Sequence, residues 1–238
     1  MSGLNEFVPT RRGFLGLAAG AGALAATGSA GRAADKIRTS ARIVILGAGA
    51  AGTALANRLA ERLDGASITL IDGRRYHWYQ PGFTLIAAGL QPAGYSVSST
   101  REWLPRSATL VQDYAREIDA EAKRVTTESG ETLDYDYLIV APGLKLDWGA
   151  VEGFSLDLVG REGIGAVYAG PEHAARTWEA MDRFTEQGGQ ALFYRPATEM
   201  KCAGAPLKYT LLTDDYARRK GNRGNVELTY AAQDRKST

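Results

Sequence analysis

The chain has 238 residues, of which 45% are hydrophobic and 23% are charged, as expected for a globular protein of one or two domains. The 28 Lys and Arg residues nearly balance the 27 Asp and Glu residues, so charge gives no indication of a nucleic acid partner. The single cysteine, Cys202, excludes a disulfide within the chain.

Residues 1–34 are predicted to be a targeting peptide outside the fold. Arg11 and Arg12 precede Phe14 and a Gly/Ala-rich apolar run, followed by small residues suited to cleavage. This pattern resembles the twin-arginine export signal, which carries folded proteins. A retained membrane anchor is the alternative. However, the apolar run is Gly-rich and shorter than the roughly 20 apolar residues that a membrane-spanning helix needs. We therefore expect a periplasmic protein, with peripheral membrane association left open.

A dinucleotide fingerprint follows the targeting peptide. Residues 42–46 form an apolar, β-branched run that predicts a buried strand, and this run leads directly into a Gly-x-Gly-x-x-Gly turn. Residues 53–63 carry leucines at helical spacing, and residues 67–72 predict a second strand that ends in an acid. Strand, turn, helix, strand and acid in this order predict a Rossmann-like unit.

Each residue of the fingerprint has a distinct physical role. Gly47 permits the tight turn, Gly49 lets a pyrophosphate approach the backbone, and Gly52 allows the helix to pack closely on the strand. The carboxylate of Asp72 can accept hydrogen bonds from ribose hydroxyls and would repel a 2′-phosphate. The fingerprint alone fits either FAD or NAD. Its candidate cofactor-binding residues are Gly47, Gly49, Ala50, Ala51, Gly52 and Asp72.

A second signature favours FAD. Polar and apolar residues alternate from Val111 to Thr132 and predict a hairpin-like insertion around Ser129-Gly130. The apolar strand that follows ends in Ala141-Pro142-Gly143. This stretch resembles the second signature of flavoproteins with two dinucleotide-binding domains, where it lies beside the FAD, although an ordinary buried strand is the alternative. The resemblance adds Val111, Ala141, Pro142 and Gly143 to the candidate cofactor-binding residues.

The second half predicts another βαβ unit. A helix begins near Pro171, with an apolar stripe at residues 175, 178, 181 and 184. After Gly188-Gly189 we expect a strand at residues 190–194, a helix at 207–220 and a strand at 226–230. The predicted fold class is α/β, with a Rossmann-like FAD-binding domain at residues 37–150 and the start of a second Rossmann-like domain at residues 151–238.

The loop of this second unit lacks a phosphate cradle. Residues 195–208 hold a single glycine, which disfavours a nicotinamide partner. Cys202 lies there beside Lys201 and a helix start, both of which favour a thiolate. No other typical metal-binding residues accompany His77 or His173 in a ligand-like spacing, so we expect neither a catalytic histidine nor a metal site.

Two segments resemble a known family. Residues 201–208, Lys-Cys-Ala-Gly-Ala-Pro-Leu-Lys, and residues 76–84, with Tyr-Gln-Pro at their centre, are similar to segments of sulfide:quinone oxidoreductases and of the flavoprotein subunit of flavocytochrome c sulfide dehydrogenase. The resemblance implies FAD as cofactor, sulfide as substrate, and quinone or a c-type cytochrome as electron acceptor. It also implies that Cys202 is one of two catalytic redox cysteines.

The 238 residues depart from this family in two respects. They lack the partner cysteine and the returning segment that completes the FAD-binding domain, which fits either a fragment of a longer protein or a truncated, inactive product. Two alternatives remain: an NADH dehydrogenase-type flavoprotein, and a truncated, non-catalytic FAD-binding fragment. The missing second glycine loop disfavours the former.

Overall fold

The computed structural model describes residues 35–196, 198 and 200–232. The described residues from Arg38 onwards belong to one compact unit. The predicted targeting peptide lies outside the described residues. Across the described ranges, no helix is both long enough and apolar enough to cross a membrane.

A four-stranded parallel sheet forms the centre of the first half. Its strands are β2 (Arg42–Leu46), β4 (Ser67–Ile71), β7 (Ala108–Val111) and β11 (Tyr137–Val140). Side by side in the sheet, they follow the order β11-β2-β4-β7. Helix α1 (Ala50–Arg62) connects β2 to β4. This arrangement confirms the predicted α/β class and its Rossmann-like FAD-binding region.

The central strands β2 and β4 are buried on both faces, which explains their apolar runs. Ile43, Ile45 and Leu70 pack on one face with Ala56 of α1. Alternate residues, among them Val44 and Leu46, pack on the other face. The period-2 alternation of a strand therefore separates two hydrophobic clusters across a single sheet.

The hydrophobic cluster that contains Val44 and Leu46 is covered by an antiparallel sheet of three strands. These strands are β8 (Ala115–Asp119), β9 (Arg124–Thr127) and β10 (Thr132–Asp134). The turn at Ser129-Gly130 connects β9 to β10, and Gly130 has a φ of +91°. Val125 of β9 is fully buried against the parallel sheet. The insertion thus has one strand more than the predicted hairpin.

Short elements occupy the connections. They are β1 (Ile37–Arg38), β3 (Leu63–Asp64), the antiparallel pair β5 (Tyr76–Trp78) and β6 (Val97–Ser99), helix α2 (Phe83–Ala87), and 3-10 helices at Gln80–Gly82, Ala93–Ser96, Thr100–Trp103, Trp148–Ala150, Leu156–Leu158 and Arg223–Asn225. Leu63, predicted to end the first helix, instead begins β3.

The second half forms the expected βαβ unit. Helix α3 (Pro171–Gln187) precedes β12 (Gly189–Arg195), α4 (Ala205–Arg219) and β13 (Val226–Ala232), and β12 pairs with β13 in parallel. Three residues of the predicted stripe of α3 pack in the core: Met181 is buried, and Ala175 and Trp178 pack against the same cluster. Phe184 is only partly buried, and Ala174 and Thr185 are buried beside the stripe. The domain boundary near residue 150 stays a prediction.

Helix α2 joins the two halves through one core. Phe83 and Ile86 of α2 pack with Ala174 of α3 and Tyr209 of α4. The buried Tyr209 hydroxyl also donates a 2.9 Å hydrogen bond to the carbonyl oxygen of Ala87. The aromatic segment after β4 and the helix after Cys202 are therefore fixed to each other.

Candidate functional site

The turn between β2 and α1 is closed by backbone packing. Gly47 has a φ of +97°, and a Cβ there would collide with the carbonyl oxygen of Ala141. A Cβ on Gly52 would collide with the carbonyl oxygen of Gly47. Both glycines are therefore required by the fold itself, as their predicted roles in the turn and in helix packing imply.

Gly49 differs, because the protein alone does not require a glycine there. Its φ of −75° is open to any residue. A Cβ would lie 3.8 Å from Nη2 of Arg74, an ordinary contact distance. The space that this Cβ would fill is the space that a pyrophosphate needs to approach the backbone.

The N-terminus of α1 fits an anion. No side chain caps the helix at Gly49, and Thr53 donates the first backbone hydrogen bond back to the Gly49 carbonyl oxygen at 3.0 Å. The preceding N–H groups of Ala50 and Ala51 belong to exposed residues. Such N–H groups, together with the helix dipole, favour a phosphate. The residues present therefore fit the diphosphate of FAD.

The two predicted signatures meet at one edge of the sheet. The Ala141 N–H donates to the Leu46 carbonyl oxygen at 2.8 Å, and the turn 141–143 closes over Gly47. The Asp72 N–H donates to the Val111 carbonyl oxygen at 3.1 Å. All these residues follow the carboxyl ends of parallel strands, where doubly wound sheets bind ligands.

The carboxylate of Asp72 accepts hydrogen bonds from Ala48 and Arg74. Its Oδ2 accepts from the Ala48 N–H at 2.7 Å and from Arg74 Nη2 at 2.8 Å. Its Oδ1 accepts from the backbone N–H and the Nε of Arg74 at 2.9 and 3.0 Å. Burial alone would raise the pKa of Asp72, but the hydrogen bonds from Arg74 and Ala48 outweigh it and lower that pKa. Sequence reasoning missed Arg74, although a basic residue two positions after the acid was the available signal.

Cys202 lies in the turn before α4 and is exposed. Its carbonyl oxygen accepts from the Ala205 N–H at 3.1 Å, and Gly204 precedes the first helical residue. Pro206, in the first turn, has no N–H to offer a phosphate. This loop therefore presents a thiol at the position where a second nucleotide would need backbone N–H groups.

Lys201 is placed beside the thiol by an aromatic contact. Its Nζ lies over the Tyr168 ring, 5.6 Å from the centroid. Burial lowers the pKa of Lys201, while the adjacent Cys202 opposes this shift. The Tyr168 ring in turn packs on Phe83, 6.0 Å between centroids, and Phe83 packs on Trp78 at 6.1 Å. The two segments that carry the family resemblance are thus connected through Tyr168, another residue that sequence reasoning missed.

The two histidines have local roles. The half-buried His77 ring lies 6.0 Å from the Trp103 ring, and the His173 carbonyl oxygen accepts from Thr177 Oγ1 at 2.7 Å within α3. Neither position is an assembled metal site: within the described ranges, no three His, Cys, Asp or Glu residues are grouped to hold an ion.

A parallel sheet, a glycine turn that leads into an uncapped helix, and an acid at the end of the second strand together define a dinucleotide-binding oxidoreductase fold. The chain belongs to the pyridine nucleotide-disulphide oxidoreductase family, whose model matches residues 41–188. Its members are FAD flavoproteins, so FAD, the predicted cofactor, is confirmed. The predicted enzyme class, an FAD-dependent oxidoreductase, is the class of this family.

The resemblance to sulfide:quinone oxidoreductases is also confirmed. The mitochondrial sulfide:quinone oxidoreductase of Mus musculus is 34% identical over 192 residues, which cover 79% of this chain and 41% of the mouse protein. The crystal structure of the Aquifex aeolicus sulfide:quinone oxidoreductase matches with a TM-score of 0.61 and 25% identity, over 81% of this chain and 43% of that chain.

A third comparison shows the fold alone. The NDH2 structure from Plasmodium falciparum in complex with NADH matches with a TM-score of 0.54 and 16% identity, over 81% of this chain and 41% of that chain. The chain spans about two fifths of the length of the curated relatives it matches. The individual cofactor contacts and the role of Cys202 stay predictions.

Proposed function

We propose that this chain contributes the FAD-binding half of an enzyme that oxidises sulfide and passes electrons to a quinone. The observation that carries the proposal is the loop before α4, where the exposed Cys202 stands in place of a second glycine-rich phosphate loop. The similarity to proteins named sulfide:quinone oxidoreductase supports the same substrate and acceptor.

The chemistry assigned to Cys202 is nucleophilic. Its thiolate and HS⁻ together form a persulfide, and this oxidation releases one proton and two electrons. FAD, when bound, accepts the electron pair. Lys201, the neighbouring residue in the chain, and the N-terminus of α4 supply positive charge on the side of the loop where the anionic persulfide would form.

The second candidate, an NADH dehydrogenase-type flavoprotein, has the support of the fold similarity to NDH2. The loop before α4 opposes it, because Gly204 stands alone beside Lys201, Cys202 and Pro206. A nicotinamide dinucleotide would need backbone N–H groups that such a loop does not cluster.

Anaerobic mixing of the intact, FAD-loaded protein with sulfide or NADH tests the proposal. Sulfide should bleach the oxidised flavin band of the wild type. Cys202→Ser should retain FAD but lose this bleaching, whereas Thr198→Ser, in the same loop, should bleach like the wild type. Equal bleaching in the Cys202 variant would remove the thiol from the mechanism. Bleaching by NADH instead would favour the second candidate, and a protein without flavin bands would favour a non-catalytic fragment.

The electron acceptor needs a separate measurement. After sulfide has reduced the flavin, addition of a short-chain ubiquinone should restore the oxidised band within the mixing time. Reoxidation by a c-type cytochrome but not by the quinone would assign the alternative acceptor from the family resemblance.

Export by the twin-arginine route is proposed from residues Arg11 and Arg12. Replacing both with lysine should trap the precursor in the cytoplasm, because the signal depends on the adjacent arginines. The assay is cell fractionation with the unchanged precursor alongside. Periplasmic delivery of the double variant would contradict the proposal.

A further inference from the structure

The ring of Tyr168 is fixed by the loop before α3 and by the core. The backbone N–H of Ala166 in this loop donates to Thr177 Oγ1 of α3 at 2.9 Å. Gly165 lies so close to the same side chain that a Cβ there would meet Thr177 Cγ2 at 2.7 Å. The ring itself packs on the buried Phe83, with 6.0 Å between centroids. Its position is therefore determined by the fold and not by a reactant.

Tyr168, Lys201 and Cys202 form one cluster of titratable groups. Lys201 Nζ lies over the Tyr168 ring, 5.6 Å from its centroid. Burial raises the pKa of Tyr168, and the negative charge of a Cys202 thiolate raises it further. Burial lowers the pKa of Lys201, and the same thiolate opposes that shift. The charge of the sulfur thus acts on both neighbours, while Lys201 and Cys202 stay accessible to solvent.

A lysine ammonium on its flexible four-carbon stem does not by itself occupy one place. A fixed aromatic ring restricts it, because the face of the ring attracts a cation. We propose that Tyr168 is a positioning residue that keeps the Lys201 ammonium beside the thiol, and that this fixed charge makes Cys202 react with anions in preference to neutral molecules. The identity of the anion rests on the proposed function: sulfide is taken as HS⁻ and not as H₂S.

The charges of the loop before α4 fit an anionic reactant. Residues 195–208 hold three cations and one acid, namely Arg195, Lys201, Lys208 and Glu199. Within the described residues of α4, the first turn carries no acid. The helix dipole adds a partial positive charge at the same end of α4. An anion that approaches the thiol therefore meets an excess of positive charge.

Alkylation of the intact, FAD-loaded protein with iodoacetate and with iodoacetamide tests the proposal. Iodoacetate is an anion and iodoacetamide is neutral, but in both reactions the thiolate forms an S–C bond and iodide leaves. The fraction of thiolate enters both rate constants alike and cancels in their ratio. The ratio at Cys202, measured by mass spectrometry of its peptide, therefore reports how the surroundings of the sulfur discriminate by charge.

Lys201→Met should lower the ratio of iodoacetate to iodoacetamide rate constants about three- to tenfold, since the anion loses a nearby cation. Tyr168→Leu should lower this ratio about two- to fivefold, because the ammonium is no longer held over a ring. Tyr168→Phe keeps the ring and should retain the wild-type ratio. Lys145→Met is the control for net charge: it removes the same charge from an exposed residue of another loop and should also retain the ratio.

A ratio unchanged by Lys201→Met or by Tyr168→Leu would overturn the proposal, as would an equal fall in Tyr168→Phe and Tyr168→Leu. Urea unfolding of each variant detects a loss of stability, and alkylation of the urea-unfolded proteins should give one ratio for all of them. Alkylation does not require sulfide to reduce the flavin. A protein that shows this charge selectivity but is not bleached by sulfide would contradict the proposed function and still support the role of Tyr168.

Discussion

The three fingerprint glycines should respond differently to a single added methyl group. Gly49→Ala places a Cβ in open space, at a φ of −75° that alanine adopts freely. Restricting the unfolded chain stabilises by about 0.4–1 kcal/mol. Alanine is a poorer N-cap than glycine, which costs a similar amount. The free energy of unfolding should therefore change by less than about 1 kcal/mol.

Gly52→Ala, in contrast, should lower the free energy of unfolding. Its Cβ would collide with the carbonyl oxygen of Gly47, a backbone atom that cannot rotate away as a side chain could. Overpacking of this kind costs about 1–3 kcal/mol. Gly47→Ala combines a similar collision with a φ of +97°, which adds about 1–3 kcal/mol of backbone strain. Total stability is typically about 5–15 kcal/mol, so both losses are large enough to measure.

Urea unfolding and FAD titration of the intact protein distinguish an effect on stability from an effect on FAD binding. Gly49→Ala should unfold near the wild-type midpoint but bind FAD about 5- to 150-fold more weakly, because the methyl group occupies the pyrophosphate space. Gly52→Ala should shift the unfolding midpoint downwards. Wild-type FAD affinity in Gly49→Ala would refute the placement of the diphosphate, and equal destabilisation of both variants would refute the packing argument.

Three further predictions concern packing around the thiol segment and between the helices. Tyr209→Phe should cost about 1–3 kcal/mol of unfolding free energy, since it leaves a buried carbonyl at the end of α2 unpaired; urea unfolding measures this. Lys220→Met should cost about 0.2–1 kcal/mol at pH 7. The hydrogen bond from Lys220 lowers the pKa of Asp182, so the cost should begin to shrink as pH falls below the unfolded value of about 3.9 and should be lost once pH passes below the lowered folded pKa. A cost that does not shrink at all as the pH is lowered through this range would contradict the prediction. Tyr168→Leu should slow iodoacetamide alkylation of Cys202 about two- to fivefold, because the adjacent lysine loses its aromatic support, whereas Tyr168→Phe should react like the wild type.

The sequence predicted the parallel sheet well because its signals are local. Residues 43–46 of the apolar run are buried on both faces, and the Gly-x-Gly-x-x-Gly turn leads into a helix as expected. Strand β8, Ala115–Asp119, lies within the alternating region that predicted the insertion, but all five of its residues are exposed, so the alternation did not identify it as a separate strand. The apolar stripe of α3 was predicted in most of its residues, since Ala175, Trp178 and Met181 pack in the core that α3 shares with α2 and α4.

The site was predicted as a set of residues but not as a set of contacts. The backbone positions near Gly47 follow from the fingerprint, since the glycine spacing itself encodes the turn. The ion pair between Asp72 and Arg74 depends on the side-chain conformation of a residue two positions away, which no periodicity reports. The contact between Lys201 and Tyr168 joins residues far apart in sequence and exists only once α2 and α4 pack together.

The closure of Gly47 by the turn at 141–143 also sets an order of events during synthesis. The glycine turn is complete at residue 52, but its covering wall is translated about 90 residues later, a delay of about 5–18 s at typical elongation rates. The pairing of β11 with β2 is similarly non-local and closes a long loop. A nascent chain shorter than about 143 residues therefore has the phosphate-binding helix without the turn that covers Gly47.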